Sequence, residues 1–267
     1  MTGRRSAPSL PKNRVRADAE KLACGLRNAQ MLVRLQTATH KVFITGGTGY
    51  MGSRLIPLLV QRGHEVKALV RKGSEGKLSG VVSCVTADAL KMDSYTEQIR
   101  SADTFVHLIG VPHPSPAKAA QFRAVDLVSA QVAVKAAREA CVRHFVYLSV
   151  AQPAPMMKAY LAVRSECEAM VRASGMAATF VRPWYVLGPG HRWPYVLLPF
   201  YWLCERLPST REGARRCGLV TLPQMLNVLV WAVENPSRAV QVLDVPRIRE
   251  IGSTQTAQYA GTQSCTQ

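Results

Sequence analysis

The stretch that most limits how this chain folds is Thr45–Gly52, "TGGTGYMG". Before it stands "KVFI", a short β-rich run. After it comes "SRLIPLLVQRG", in which Leu55, Leu58 and Leu59 share one helical face and Gly63 marks the end. A strand, a glycine turn and a helix in that order give each glycine a separate duty. Gly46 lets the chain turn sharply out of the strand. Gly49 leaves the backbone open to close approach, and Gly52 lets the helix pack tightly on the sheet. The helix start then offers unpaired N–H groups and a positive dipole end to an anion such as a pyrophosphate. Thr48, Tyr50 and Met51 lie in the same turn and are assigned to the same site. The pattern predicts a dinucleotide cradle.

The rest of the chain repeats the alternation. "EVKALV", "VSCVTAD", "TFVHLIG", "HFVYLSV" and "AATFVRP" read as strands. "QFRAVDLVSAQVAVKAAREACV" and "AYLAVRSECEAMVRASG" read as helices, the second stopped by Gly175. Strands separated by helices predict an α/β fold: a Rossmann-type doubly wound parallel sheet over 41–250, with a small, mostly helical C-terminal lobe over about 184–250. Residues 1–40 read as a disordered or weakly helical basic extension. A transit segment and translation starting at Met31 stay open as alternatives. Residues 251–267 carry little charge or hydrophobicity and are expected to be disordered.

The second strand ends in "ALVRKG". A site selecting NAD(H) usually places an acid there to bind the ribose hydroxyls. This chain has Arg71 and Lys72, and its next acid is Glu75. A guanidinium suits a 2′-phosphate, so NADP(H) is expected over NAD(H).

Composition enters mainly through what it excludes. Seven cysteines, scattered and without a CxxC pair, argue against a disulfide framework or a zinc site, and no metal is expected. The net charge is +17, of which eight basic and two acidic residues in the first 40 supply +6. No aromatic–basic interleave points to nucleic acid, and none is expected as a partner. No apolar run approaches the roughly 20 residues of a membrane helix. The expected location is cytoplasmic, with a peripheral membrane or organellar site as alternatives.

Taken together, "TGGTGYMG", "TADAL", "VHLIG", "HFVYLSV" and "VRPWYVLGPG" resemble the short-chain dehydrogenase/reductase superfamily in its extended or atypical branch, near the NmrA-like and complex-I-accessory-subunit-like proteins. The resemblance implies that Asp88 contacts the adenine and that Leu108, Ile109 and Gly110 line the adenosine side. It places Pro183 beside the nicotinamide. It implies a catalytic Tyr and Lys spaced YxxxK, with a nearby Ser or Thr. The Tyr moves the substrate proton; the Lys binds the nicotinamide ribose and lowers the Tyr pKa. Here the matching residues are Tyr160, Arg164 and Ser149. Arg164 keeps the charge and the i, i+4 spacing but is bulkier and joins no proton relay. Ser149 reads either as the catalytic hydroxyl or as a strand-end residue satisfying backbone groups. Asp126 stands where many relatives have a structural Asn.

Past Pro183 the chain is rich in aromatics, from Trp184 to Trp202. The segment reads as an apolar wall for a small-molecule substrate, as a docking surface through 184–204 for a membrane or protein partner, or as the core of the small lobe. Two functions follow: an oxidoreductase acting on a carbonyl or activated double bond, or a sensor or accessory protein that holds NADP(H) without turnover.

Overall fold

The computed structural model describes residues 39–78, 80, 82–154, 156–190, 206 and 211–263, with side chains described as far as 254. Seven strands form one parallel sheet: β1 (Lys41–Thr45), β2 (Glu65–Val70), β3 (Ser83–Thr86), β4 (Thr104–His107), β5 (His144–Leu148), β6 (Ala177–Val181) and β9 (Val240–Leu243), in the order 3-2-1-4-5-6-9. β7 (Tyr185–Leu187) and β8 (Leu219–Thr221) pair as a second, two-stranded parallel sheet. Strand order reverses between β1 and β4, where Val42 to Thr45 face Thr104 to His107. Ligands of such sheets lie in the crevice that opens there, outside the carboxyl ends of the strands.

The strands read as nearly continuous apolar runs because both faces of the sheet are covered. On one face lie α1 (Gly52–Gln61), α5 (Leu222–Glu234) and α6 (Val245–Gln263); on the other lie α2 (Val128–Glu139) and α3 (Lys158–Ala173). A short α4 (Arg211–Arg216) precedes β8. Helix α1 buries Leu55, Ile56 and Leu59 against Val42, Ile44 and Ala68. Helix α2 presents Ala130, Ala133, Ala136 and Ala137 to the second core, small side chains that let it lie close to the sheet. Gly175 takes φ +75° just past α3, the left-handed stop expected of it. Thr221 and Gln224 form a capping box at the start of α5.

Two features differ from the sequence reading. The helix over "QFRAVDLVSAQ" is not regular: a π-helical turn, Phe122–Leu127, leads into α2 and places Asp126 in its widened coil. Helix α6 runs on to Gln263, across most of the 251–267 segment expected to be disordered. The extension 1–40 falls outside the described residues except for its last two, and most of the 184–204 segment falls outside as well. Among the described residues no helix is long and apolar enough to cross a membrane.

Candidate dinucleotide site

The glycine turn lies against the end of β4. Gly46 has φ +78°, and a Cβ there would stand 2.9 Å from the Leu108 carbonyl carbon. A Cβ on Gly52 would stand 2.6 Å from the Gly47 Cα, so the helix start is pressed onto the turn. Gly49 differs: it is exposed, and a Cβ on it would meet only the Gly46 carbonyl oxygen, at 3.1 Å. The first turn of α1 carries no acidic residue and no side-chain cap. These residues fit a dinucleotide, since an exposed backbone surface, an uncapped helix start and nearby basic side chains suit a pyrophosphate. Thr48 and Met51 are half-buried in the turn. The Tyr50 ring carries the Arg54 guanidinium 4.4 Å from its centre, and its hydroxyl occupies the space where Gly188 lacks a side chain.

Arg71 and Asp88 leave the same end of the sheet. The Ala87 N–H donates to the Val70 carbonyl at 3.0 Å, so the next residues on each strand stand side by side. Arg71 is exposed, and no described side chain pairs with it. Asp88 holds its own turn: Oδ1 accepts the Leu90 N–H at 3.0 Å. Leu108, Ile109 and Gly110 are half-buried in the loop leaving β4, and Pro183 is buried, its carbonyl accepting the Ala151 N–H at 2.8 Å.

The three residues matched to catalysis divide. Tyr160 is half-buried, its ring 4.9 Å from that of Phe122. Arg164, one helical turn on, is only 5 % exposed. One of its terminal nitrogens (Nη2) donates to Asp126 Oδ1 at 2.6 Å; the other (Nη1) donates to the Tyr147 hydroxyl at 3.1 Å and the Leu148 carbonyl at 3.0 Å. The guanidinium lies under Gly110, where any side chain would collide with it. Its Nε finds no acceptor among the described residues, and the Tyr160 ring at 5.1 Å offers partial compensation. Thus Arg164 does not extend its donors into the crevice as a ribose anchor must: the Asp126 carboxylate draws it inward. Burial pushes the Asp126 carboxyl above the ordinary aspartate range, and Arg164 and the Val111 N–H pull it part of the way back.

Ser149 is buried and donates to Glu168 Oε1 at 2.6 Å. Glu168 also accepts from Gln152 at 2.9 Å and from both Nε and Nη2 of Arg182, and it pairs with Arg172. Sequence reasoning missed this hub. Its signal was a Glu placed i+4 from one Arg and i−4 from another on a helix that must bury one face. It also missed His107, buried at the end of β4 with Nδ1 2.8 Å from the Thr45 hydroxyl, whose pKa burial lowers to about 3.

A parallel doubly wound sheet with a glycine cradle at its switch point defines a dinucleotide-binding protein of the Rossmann class. Residues 46–193, more than half of the chain, match the NAD(P)H-binding family, and the chain belongs to it. Among curated proteins it is 31% identical over 151 residues to "Ceramide reductase" of Caulobacter vibrioides, covering 56% of this chain and 47% of that protein. It is 24% identical over 170 residues to "4-hydroxy-2-methyl-3-oxo-4-farnesyl-3,4-dihydroquinoline-1-oxide ketoreductase" of Stigmatella aurantiaca, covering 55% of this chain and 51% of that one. It is 27% identical over 119 residues to "3-beta-hydroxysteroid dehydrogenase" of Mycolicibacterium neoaurum, covering 42% and 32%. The chain spans about half or less of the length of these relatives. Among solved structures, the Bordetella bronchiseptica enzyme WbmH in complex with NAD+ superposes with a TM-score of 0.58 at 21% identity, covering 84% of this chain and 83% of that one. The UDP-N-acetylglucosamine 4-epimerase of Bacillus cereus gives 0.57 at 16% identity, covering 77% and 78%. These likenesses show the Rossmann-type α/β fold.

Proposed function

We propose that the chain is an NADP(H)-dependent oxidoreductase that reduces a carbonyl or activated double bond on an apolar substrate. The observation that carries the reaction is the division among the three matched residues. Tyr160 alone keeps an exposed edge, while Arg164 and Ser149 are committed to buried partners. Tyr160 is therefore assigned as the proton donor. Bound NADPH supplies the hydride. Arg71 is assigned to the 2′-phosphate, and the turn Gly46–Gly52 to the pyrophosphate. The apolar substrate class is supported by the relatives' names, which carry a ceramide, a farnesyl chain and a steroid.

The test has two arms. NADPH should bind more tightly than NADH in a fluorescence titration, and Arg71→Ala should remove about 1.5–3 kcal/mol of that preference. Equal affinities in the unmodified protein end the NADP(H) assignment. NADPH oxidation is then followed with long-chain 3-oxo lipids, 3-oxo steroids and prenylated ketones. Tyr160→Phe should keep cofactor affinity while turnover falls by about 10²–10⁴, the usual worth of a positioned acid. Turnover undiminished in Tyr160→Phe removes Tyr160 from the mechanism. A second reading, a holder of NADP(H) without turnover, is favoured by the Arg164–Asp126 pair, which keeps the cation off the crevice. It predicts tight NADPH binding with no oxidation across the same panel.

A further inference from the structure

The first turn of α1 carries a cation where a helix favours an anion. Unpaired N–H groups and the dipole make that end positive, and a basic side chain there weakens a helix. Arg54 is the one charged residue of α1, and no acid stands in the first turn to balance it. Helical side chains lean toward the start of their own helix, and Arg54 does so. Its Nη1 donates to the Tyr50 carbonyl, inside the glycine turn, at 2.8 Å. The guanidinium lies over the Tyr50 ring, 4.4 Å from its centre. That ring is held in turn, because the Tyr50 hydroxyl fills the space over Gly188 beside Leu222. Arg54 is half-buried. Among the described residues no carboxylate pairs with it, and its remaining nitrogens meet no acceptor.

We propose that Arg54 is a further binding residue of the dinucleotide site: its guanidinium, steadied on Tyr50, meets the pyrophosphate that the glycine turn and the start of α1 receive. The inference deepens the reading of that turn as a pyrophosphate cradle and rests on it. The choice between NADP(H) and NAD(H) does not enter, because both carry the same pyrophosphate. Electrostatics supplies the reason. Without a ligand, the positive helix end and the cation repel each other, and only a carbonyl and a ring offset the repulsion. An anion between them is attracted by both, so the misplaced charge becomes a favourable one. The planar guanidinium keeps donors for a phosphate oxygen after one nitrogen is given to Tyr50. Arg71 has a separate duty, since it follows β2 and is assigned to the 2′-phosphate. A side chain that only shaped the turn would need its donor and its bulk, not its charge.

The experiment titrates the full chain with NADPH and with NADH, and urea unfolding checks that each variant is folded. Arg54→Gln removes the charge and keeps an amide donor for Tyr50. It should raise the Kd for both dinucleotides alike, on the order of tenfold, the worth of one lost charge-assisted contact. Arg54→Met, which keeps an apolar stem on the ring, should do the same, and it serves as the test if Arg54→Gln fails to fold. Arg54→Lys restores the charge without the planar fork and should recover most of the affinity for both. Unchanged Kd values in the folded neutral variants overturn the proposal. A loss confined to NADPH also overturns it, because Arg54 would then read the 2′-phosphate. So does a loss that Arg54→Lys leaves in full, because shape and not charge would then be what the site needs. If the unmodified protein binds neither NADPH nor NADH, the cofactor reading itself fails first and takes this inference with it.

Discussion

A glycine is informative when the space its missing side chain leaves is filled by something definite. At Gly52 that space is filled by the backbone of Gly46 and Gly47; at Gly49 it is nearly empty on the protein side. Alanine should therefore act oppositely at the two positions. Gly52→Ala forces backbone against backbone and should lower stability by about 1–3 kcal/mol, the usual cost of overpacking. Gly49→Ala needs only a few tenths of an ångström of relief and should change stability by less than about 1 kcal/mol, because removing a glycine also stiffens the unfolded chain. It should nevertheless weaken dinucleotide binding, since the methyl group stands where the pyrophosphate approaches. Denaturant unfolding and NADPH titration of the two variants check this. A Gly49→Ala protein that binds NADPH normally would show that the cradle is not where the cofactor lies.

At the scale of elements, α3 is held to the sheet by Glu168 as well as by its apolar stripe of Val163, Cys167 and Val171. One carboxylate ties Ser149 and Gln152 after β5 to Arg182 after β6. Glu168→Ala should cost about 2–3 kcal/mol, less than a fully buried pair because water reaches Arg182, and Glu168→Gln should cost less. Equal denaturation midpoints for Glu168→Ala and the unmodified protein would show that the hub is idle. The strands and helices around this hub were legible in the sequence, because periodicity, glycine stops and the strand–turn–helix pattern are local signals. The small β7–β8 sheet was not, since three-residue strands leave no periodicity to read. The site was legible only where it is made of backbone or of neighbours in one helix. Tyr160 and Arg164 announce themselves at i, i+4. What Arg164 does there is decided by Asp126, 38 residues away, and what Ser149 does by Glu168, 19 residues away. A π-helical turn, which shifts every later residue around the helix, leaves no mark in a sequence read at 3.6 residues per turn.

At the scale of the whole molecule, two imidazoles lie within the sheet and couple its stability to pH. His144 sits in β5 with Nε2 3.0 Å from the Thr179 hydroxyl of β6, and His107 ends β4, stacked against Phe145 and Tyr147. Burial lowers the pKa of His144 from 6.5 to about 4, with His40 adding to the effect. Burial, with the nearby Arg164 charge, lowers that of His107 from 6.5 to about 3. The folded protein thus keeps both rings neutral while the unfolded chain takes up a proton on each below pH 6.5. The unfolded state binds more protons, so stability falls as the pH drops from the unfolded value toward the folded ones. The loss begins near pH 6.5 and levels off for each ring below its folded pKa. Where both rings contribute, the slope approaches about 2.7 kcal/mol per pH unit, two protons at about 1.36 kcal/mol each. Urea denaturation at a series of pH values between neutrality and about pH 4 measures it. His144→Asn, which cannot take up the proton in either state, should lower the stability at neutral pH and cut the slope by about half over that range. A slope that is the same in His144→Asn and the unmodified protein would mean that the imidazole of β5 is not held neutral by the fold, and that other groups carry the acid sensitivity.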